Sequence, residues 1–200
     1  TELTGITDAM VAGQKVDAAA VDAFVGDANI VIAHNARFDR PFCEKAWPLF
    51  DQRHWACSVV EIDWPKYGFG GGKLGYLLAD MGYFHEAHRA IDDCHALLDI
   101  LSQPLPGASG TALAALLTRA RRKTIRVRAE HSPFDLKDKL KARGYRWNDG
   151  TDGQPKAWFI DVDEALRDAE LKWLKTDIYQ RDVDITCVNI TALDRHSSRV

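Results

Sequence analysis

The sequence predicts an α/β fold followed by a small α+β unit, and three observations carry that expectation. Residues 29–34 hold a compact apolar run (Ile30, Val31, Ile32, Ala33), the pattern of a strand buried on both faces, with a helical period directly behind it. Residues 103–110, Gln-Pro-Leu-Pro-Gly-Ala-Ser-Gly, form a Pro/Gly/Ser stretch of the kind that separates units. Beyond it the order is strand, helix, strand, strand, helix, strand, the split βαβ pattern. The expected organisation is therefore a first domain over 1–102, a linker and helix over 103–122, and a second domain over 123–200.

Taken in order, the chain opens with a turn and a helix whose face is Val16, Ala20, Val21, Phe24 and Val25. After the 29–34 strand, Asn35 can cap a helix with Phe38, Phe42, Ala46 and Phe50 on one side. Residues 57–62 read as a second strand, 68–72 as a glycine loop and 73–83 as a short helix. A further helix starts near Ala90, with Cys94, Leu97, Leu98 and Leu101 at i, i+3, i+4 and i+7. Residues 110–122 give a helix ending in a basic cluster. The second domain reads as strand 124–129, helix 133–143, strand 145–147, turn 148–155, strand 156–160, helix 164–179 and strand 183–190.

Composition is that of a soluble globular protein, with 46% hydrophobic and 28% charged residues. No apolar run is long enough for a membrane span, and no basic-then-apolar leader opens the chain. Thr1 stands where a Met would open a gene product, which reads as a trimmed or proteolytic piece. The four cysteines, Cys43, Cys57, Cys94 and Cys187, form no C-x-x-C pair and read as buried reduced thiols of a bacterial cytoplasmic protein. With a net charge of −3, any nucleic-acid surface has to be a local patch.

Two segments carry chemistry. Ile-Ala-His-Asn-Ala-Arg-Phe-Asp, ending at Asp39, is a buried strand, a polar break and a carboxylate in the first turn of the next helix. His88-Arg-Ala-Ile-Asp-Asp93 sets a histidine five residues ahead of a carboxylate at a helix start. Carboxylates at strand ends and on an adjacent helix can converge on divalent ions, and a loop histidine beside them can take a proton from the attacking water. Each residue also has a plain reading: Asp39 complementing the helix dipole, Asp93 and its neighbour Asp92 as solvated charge, His88 as an idle loop residue. His34 and Asn35 read as shaping and capping the turn.

Together, H-N-A-x-F-D and H-x-A-x-x-D resemble the second and third motifs of the DEDDh exonucleases, the family of the proofreading epsilon subunit of DNA polymerase III, over about residues 1–101. The resemblance implies an RNase H-like fold, Asp39 and Asp93 as metal ligands and His88 as the general base. It implies two Mg²⁺ or Mn²⁺ ions ~3.5–4 Å apart that drive hydrolysis of single-stranded DNA 3′ ends to nucleoside monophosphates. Thr4, Gly5 and Ile6 look like the family's grip on the 3′-terminal nucleotide, with Asn35 and Phe38 beside it. A DNA polymerase is the partner such a subunit implies.

The family's first motif, Asp-x-Glu on a strand, has no counterpart. Asp168-Ala-Glu170 lies in a helical pattern and Glu61-Ile-Asp63 is reversed. The expectation is an N-terminally truncated exonuclease fold with its first strands absent, little activity alone, and exposed apolar faces that favour a homodimer or a retained N-terminal fragment. A non-catalytic nucleic-acid-binding or polymerase-docking module, and an RNA-trimming exonuclease, are the competing readings.

In the second domain, basic residues crowd among aromatics. Arg126, Arg128, Trp147 and Trp158 could form a cationic, stacking surface for single strands. A solvated basic face whose tryptophans fill a small core accounts for the same residues, and both readings stand at this point.

Overall fold

The computed structural model describes residues 4–84 and 89–199, and its chain divides into two compact units, Thr1–Arg119 and Ala120–Val200. No helix among the described residues is long and apolar enough to cross a membrane.

Unit 1 begins with helices α1 (Asp8–Val11) and α2 (Ala18–Val25), capped by the Thr7 hydroxyl and the Asp17 carboxylate, which accept from the Met10 and Ala19 amides. Strand β1 (Ile30–Ala33) leads into α3 (Ala36–Ala46), and β2 (His54–Cys57) pairs parallel to β1, with Val31 opposite Trp55 and Ala33 opposite Cys57. The turn into β1 is pinned by Arg53, which donates to the carbonyls of Ala28 (3.2 Å) and Gly26 (2.6 Å). Helices α4 (Leu74–Asp80), α5 (Ala90–Ser102) and α6 (Ala112–Ala120) follow.

The second strand comes earlier than the 57–62 expected, because the chain turns after Cys57. The Glu61 carboxylate accepts from the Cys57 amide at 2.7 Å, and the Trp64 indole donates to the Ser58 carbonyl at 2.7 Å, so the loop folds back on the strand end. Gly72 completes this packing: a Cβ there would lie 3.1 Å from Trp64 Cδ1 and 3.3 Å from the Val59 carbonyl oxygen.

Several expected faces turn the other way. In α3 the buried side runs through Ala36 and Arg40, with the Arg40 guanidinium over Trp55 and bonded to Glu44 at 2.6 Å, while Phe38 and Phe42 face out. A period count scores arginine as polar, so it could not foresee Arg40 as a core residue. Phe24 and Val16 are likewise exposed; Val21 and Val25 make the packing against Trp55, Phe50 and Cys57. In α5 the buried residues are Ala96, Leu97, Ile100 and Leu101, which leaves Leu98 and Cys94 in solvent. All four thiols are free, and Cys57 alone is fully buried. Strand β1 is only half-buried throughout, since β2 is its sole partner among the described residues.

Residues 103–110 are no loose spacer. Pro104 bridges Thr111, the Leu105 amide bonds to the Gly110 carbonyl at 3.1 Å, and Leu105 is buried.

Unit 2 contains β3 (Thr124–Ala129), α7 (Lys137–Ala142), β4 (Arg146–Asn148), β5 (Ala157–Asp163), α8 (Arg167–Trp173) and β6 (Cys187–Ile190). Its sheet runs β4-β5-β3-β6, all antiparallel. Ile125, Val127 and Ala129 of β3 face a core completed by Leu140, Tyr145, Leu174 and Ile178. The helix expected over 133–143 starts as a 3-10 turn, Phe134–Leu136, and the one over 164–179 passes from 3-10 through α8 into a π segment, Leu174–Tyr179, that ends on left-handed Gln180. The last strand begins only at Cys187.

Candidate active site

The parallel pair fixes where chemistry can sit, because side chains gathered at the carboxyl ends of parallel strands line a ready crevice. Both strand ends are tied there. The Ser58 amide donates to the Ala33 carbonyl at 3.1 Å, and His34 Nδ1 lies 2.8 Å from the Ser58 hydroxyl. Asn35 then takes a left-handed conformation (φ 82°), which turns the chain straight into α3. Asn35 occupies the cap position without a side-chain cap bond, contrary to the capping role expected for it; its carbonyl alone receives the Phe38 amide at 2.8 Å.

Asp39 follows in the first turn of α3, half-buried, and burial raises its carboxyl above the usual range, with its own backbone amide acting the other way. Asp93 sits in the first turn of α5, beside Asp92. The two carboxylates occupy equivalent places, each four residues past the residue that precedes its helix, Asn35 and Arg89. Burial holds the His34 imidazole below its ordinary value, against opposing contributions from the Gly72 backbone and the Asp93 charge. The field of Asp93 therefore reaches the strand end from which Asp39 is launched. His34, bonded to Ser58, sits at the turn that leads into α3.

The opening segment joins the same neighbourhood. Thr4 is half-buried and accepts from the Ile6 amide at 3.2 Å; Gly5 has φ 66°, and a Cβ there would lie 3.7 Å from Arg89 Nη2, just ahead of the Asp93 helix. Ile6 and Phe38 are exposed. His88 lies outside the described residues. Among those that are described, no group of three or more His, Cys, Asp or Glu side chains is arranged to hold a metal ion. The other face of α5 borders an open cleft of about 370 Å³ lined by Asp92, His95 and Asp99 with Leu78, Tyr83 and Phe84. Ser58 and Glu61, which organise the strand ends, were invisible in sequence because a strand was expected through them.

In unit 2 the expected strand-binding arginines are engaged internally. Arg126 donates twice to Asp161 (2.7 and 2.9 Å) and stacks on Phe159, and Arg128 is buried and donates to Gln154 at 2.7 Å. Both guanidiniums thus already hold partners within the unit. Trp147 is exposed, and its ring lies 5.5 Å from that of Trp158, which packs partly on the core.

The sequence model of the exonuclease family (RNase T type) matches residues 1–101, half of the chain, and the chain belongs to that family. No curated protein and no solved structure matches it. The family defines a nuclease, a hydrolase of nucleic-acid phosphodiesters of a kind that generally uses divalent metals.

Proposed function

We propose that the chain is a 3′→5′ exonuclease of the proofreading type, acting on DNA 3′ ends, with Asp39 and Asp93 as metal-binding carboxylates and His88 as the base. The observation that carries this reading is the pairing of H-N-A-x-F-D with H-x-A-x-x-D inside the family match. The equivalent placement of Asp39 and Asp93 in the first turns of α3 and α5 supports it. On this reading β1 and β2 belong to an RNase H-like sheet, and the exposed Ile6 and Phe38 offer apolar surface to the terminal nucleotide. Thr4, Gly5 and Asn35 shape the backbone around it.

The carboxylates at hand do not fit a two-ion site by themselves. Hard dications take several oxygen ligands each, and two carboxylates leave most of those positions to water. What the chain's own residues supply is narrower. The half-buried Asp39 carboxyl gains from any cation that offsets its desolvation, Asp93 adds a carboxylate whose charge reaches His34, and His34, tied to Ser58, steadies the turn into the Asp39 helix. We infer that these 200 residues alone hydrolyse DNA feebly, and that a strand bearing Asp-x-Glu is needed for full activity.

The test is a Mn²⁺ titration of the chain with and without an added N-terminal segment bearing Asp-x-Glu, on 5′-labelled single-stranded DNA. Ladders of 3′-shortened products are expected only with the segment, and not from its Asp39→Asn or Asp93→Asn forms. Robust turnover by the chain alone overturns the inferred incompleteness. Silence of the complemented chain overturns the exonuclease reading.

A further inference from the structure

The cations of unit 2 differ in how far they are engaged. Arg126 and Arg146 pair with Asp161, Arg143 with Glu170 and Lys175 with Asp182, while Arg128 donates to Gln154. Lys137, Lys139 and Lys141 of α7 pair with no carboxylate among the described residues, although Asp135 and Asp138 lie in the same segment. Lys137 and Lys141 are one helical turn apart and so share a face. That face is flanked by rings. Lys137 Nζ lies 3.9 Å from the centre of Phe134, which is 75% exposed, and Lys141 Nζ lies 5.8 Å from the Trp158 ring. Trp158 stands opposite Trp147 across the β4–β5 ladder, and Trp147, on the edge strand, is 53% exposed.

The surface therefore sets two ammoniums, Lys137 and Lys141, between the Phe134 ring on one side and the Trp158–Trp147 pair on the other. Leaving such large rings in water forgoes apolar burial that the same unit achieves for Tyr145 and Phe159. We propose that this face binds single-stranded nucleic acid, with Trp147 and Phe134 stacking on bases and Lys137 and Lys141 contacting phosphates. Among polyanions, a single strand is the occupant that uses both halves of the pattern: unpaired bases offer π-faces at the spacing of a flexible chain, and phosphates meet ammoniums that no carboxylate holds among the described residues. An acidic peptide would satisfy the lysines and leave the exposed rings without partners. Joined covalently to an exonuclease, such a face raises the local concentration of strand. That consequence rests on the function proposed above, whereas the binding itself does not.

The experiment uses the full chain with excess EDTA, so that hydrolysis plays no part, and follows the anisotropy of fluorescein-labelled oligothymidylate across a salt series. Trp147→Ala is expected to weaken binding about tenfold and Trp147→Phe to retain most of it. Lys137→Ala with Lys141→Ala, both on an exposed helix face, should reduce the slope of log affinity against log salt by about 1.4, two phosphate contacts' worth. Polyglutamate should compete poorly. The proposal is overturned if the unaltered chain fails to bind, if the double lysine variant keeps the full salt slope, or if Trp147→Ala melts like the parent and binds as well. Equal competition by polyglutamate overturns it too, in favour of an acidic protein partner.

Discussion

Glu170 is a buried carboxylate on α8 that receives all three of its bonds from outside its own helix: Arg143 Nε at 2.8 and 3.0 Å, and the Tyr145 hydroxyl at 2.8 Å. The Arg143 side chain is 37% exposed and also stacks 4.2 Å from the Trp173 ring, so it can recover water if the carboxylate is lost. Tyr145 is buried and cannot. Tyr145→Phe removes one hydrogen bond to a charged acceptor and should cost about 1.5–2 kcal/mol. Glu170→Ala strands the hydroxyl and loses all three bonds; discounting the exposed arginine, it should cost about 3 kcal/mol. Because both changes break the same contact, Tyr145→Phe added to Glu170→Ala should cost nothing more, and can even relieve the stranded hydroxyl. For a domain of this size about 2 kcal/mol moves Tm by roughly 10 °C, which scanning calorimetry resolves as a downward shift of one transition. Burial, then the bond to Glu170, also raises the Tyr145 phenol well above its ordinary range. The unfolded chain gives up that proton first, so stability is whole below pH ~10 and falls above it by up to about 1.4 kcal/mol per pH unit from this group; Tyr145→Phe removes that share and leaves the one from Tyr179, whose phenol burial also raises. Additive costs in the double variant, or a Tm for Tyr145→Phe within a degree or two of the parent, would refute the reasoning.

Further outcomes follow from unit 1. Burial depresses the His34 imidazole, so its contribution to stability is present above pH ~6.5 and is lost as pH falls below it; His34→Asn should flatten the acid limb of a fluorescence-monitored melt, and an unchanged limb counts against it. Trp55→Ala should destabilise unit 1 by about 3–5 kcal/mol in a urea titration, since Trp55 is fully buried between Phe50 and Arg40. Gly72→Ala should lower the same midpoint by pushing the loop off Trp64, and a stabilised variant would show that the loop can yield. In the complemented enzyme, His88→Ala should slow turnover by about 10²-fold or more across neutral pH, as measured by product release.

How much of this was legible beforehand depended on how local the cause was. The β1–α3 unit was readable because an unbroken apolar run and a polar break are properties of adjacent residues, and Asp39 and Asp93 stood out because their motifs are contiguous. The order of elements in unit 2 followed from its succession of strand and helix runs and from the turn over 148–155, which holds Gly150. The failures have a common cause in partners far along the chain. Arg40 is interior because Trp55 lies beneath it, β2 stops at Cys57 because Glu61 reaches back, and Arg126 is held along the sheet because Asp161 stands across the ladder, 35 residues away. Hydrophobic periodicity also assumed that every apolar stripe finds cover, and the outward Phe24, Phe38 and Phe42 do not.

Strand β1 offers the last consequence. Ile30–Ala33 is four apolar residues without a charge, a proline or a bulge, pairing through one side only among the described residues. The amide and carbonyl groups on its other side form a template that reads no sequence, and so cannot distinguish a rightful strand from a neighbour's. The behaviour of unit 1 should then depend on how much of it is in the tube. Dilute samples should refold after heating and concentrated ones should turn turbid, with amide exchange fast along one side of Ile30–Ala33 and slow along the side facing β2.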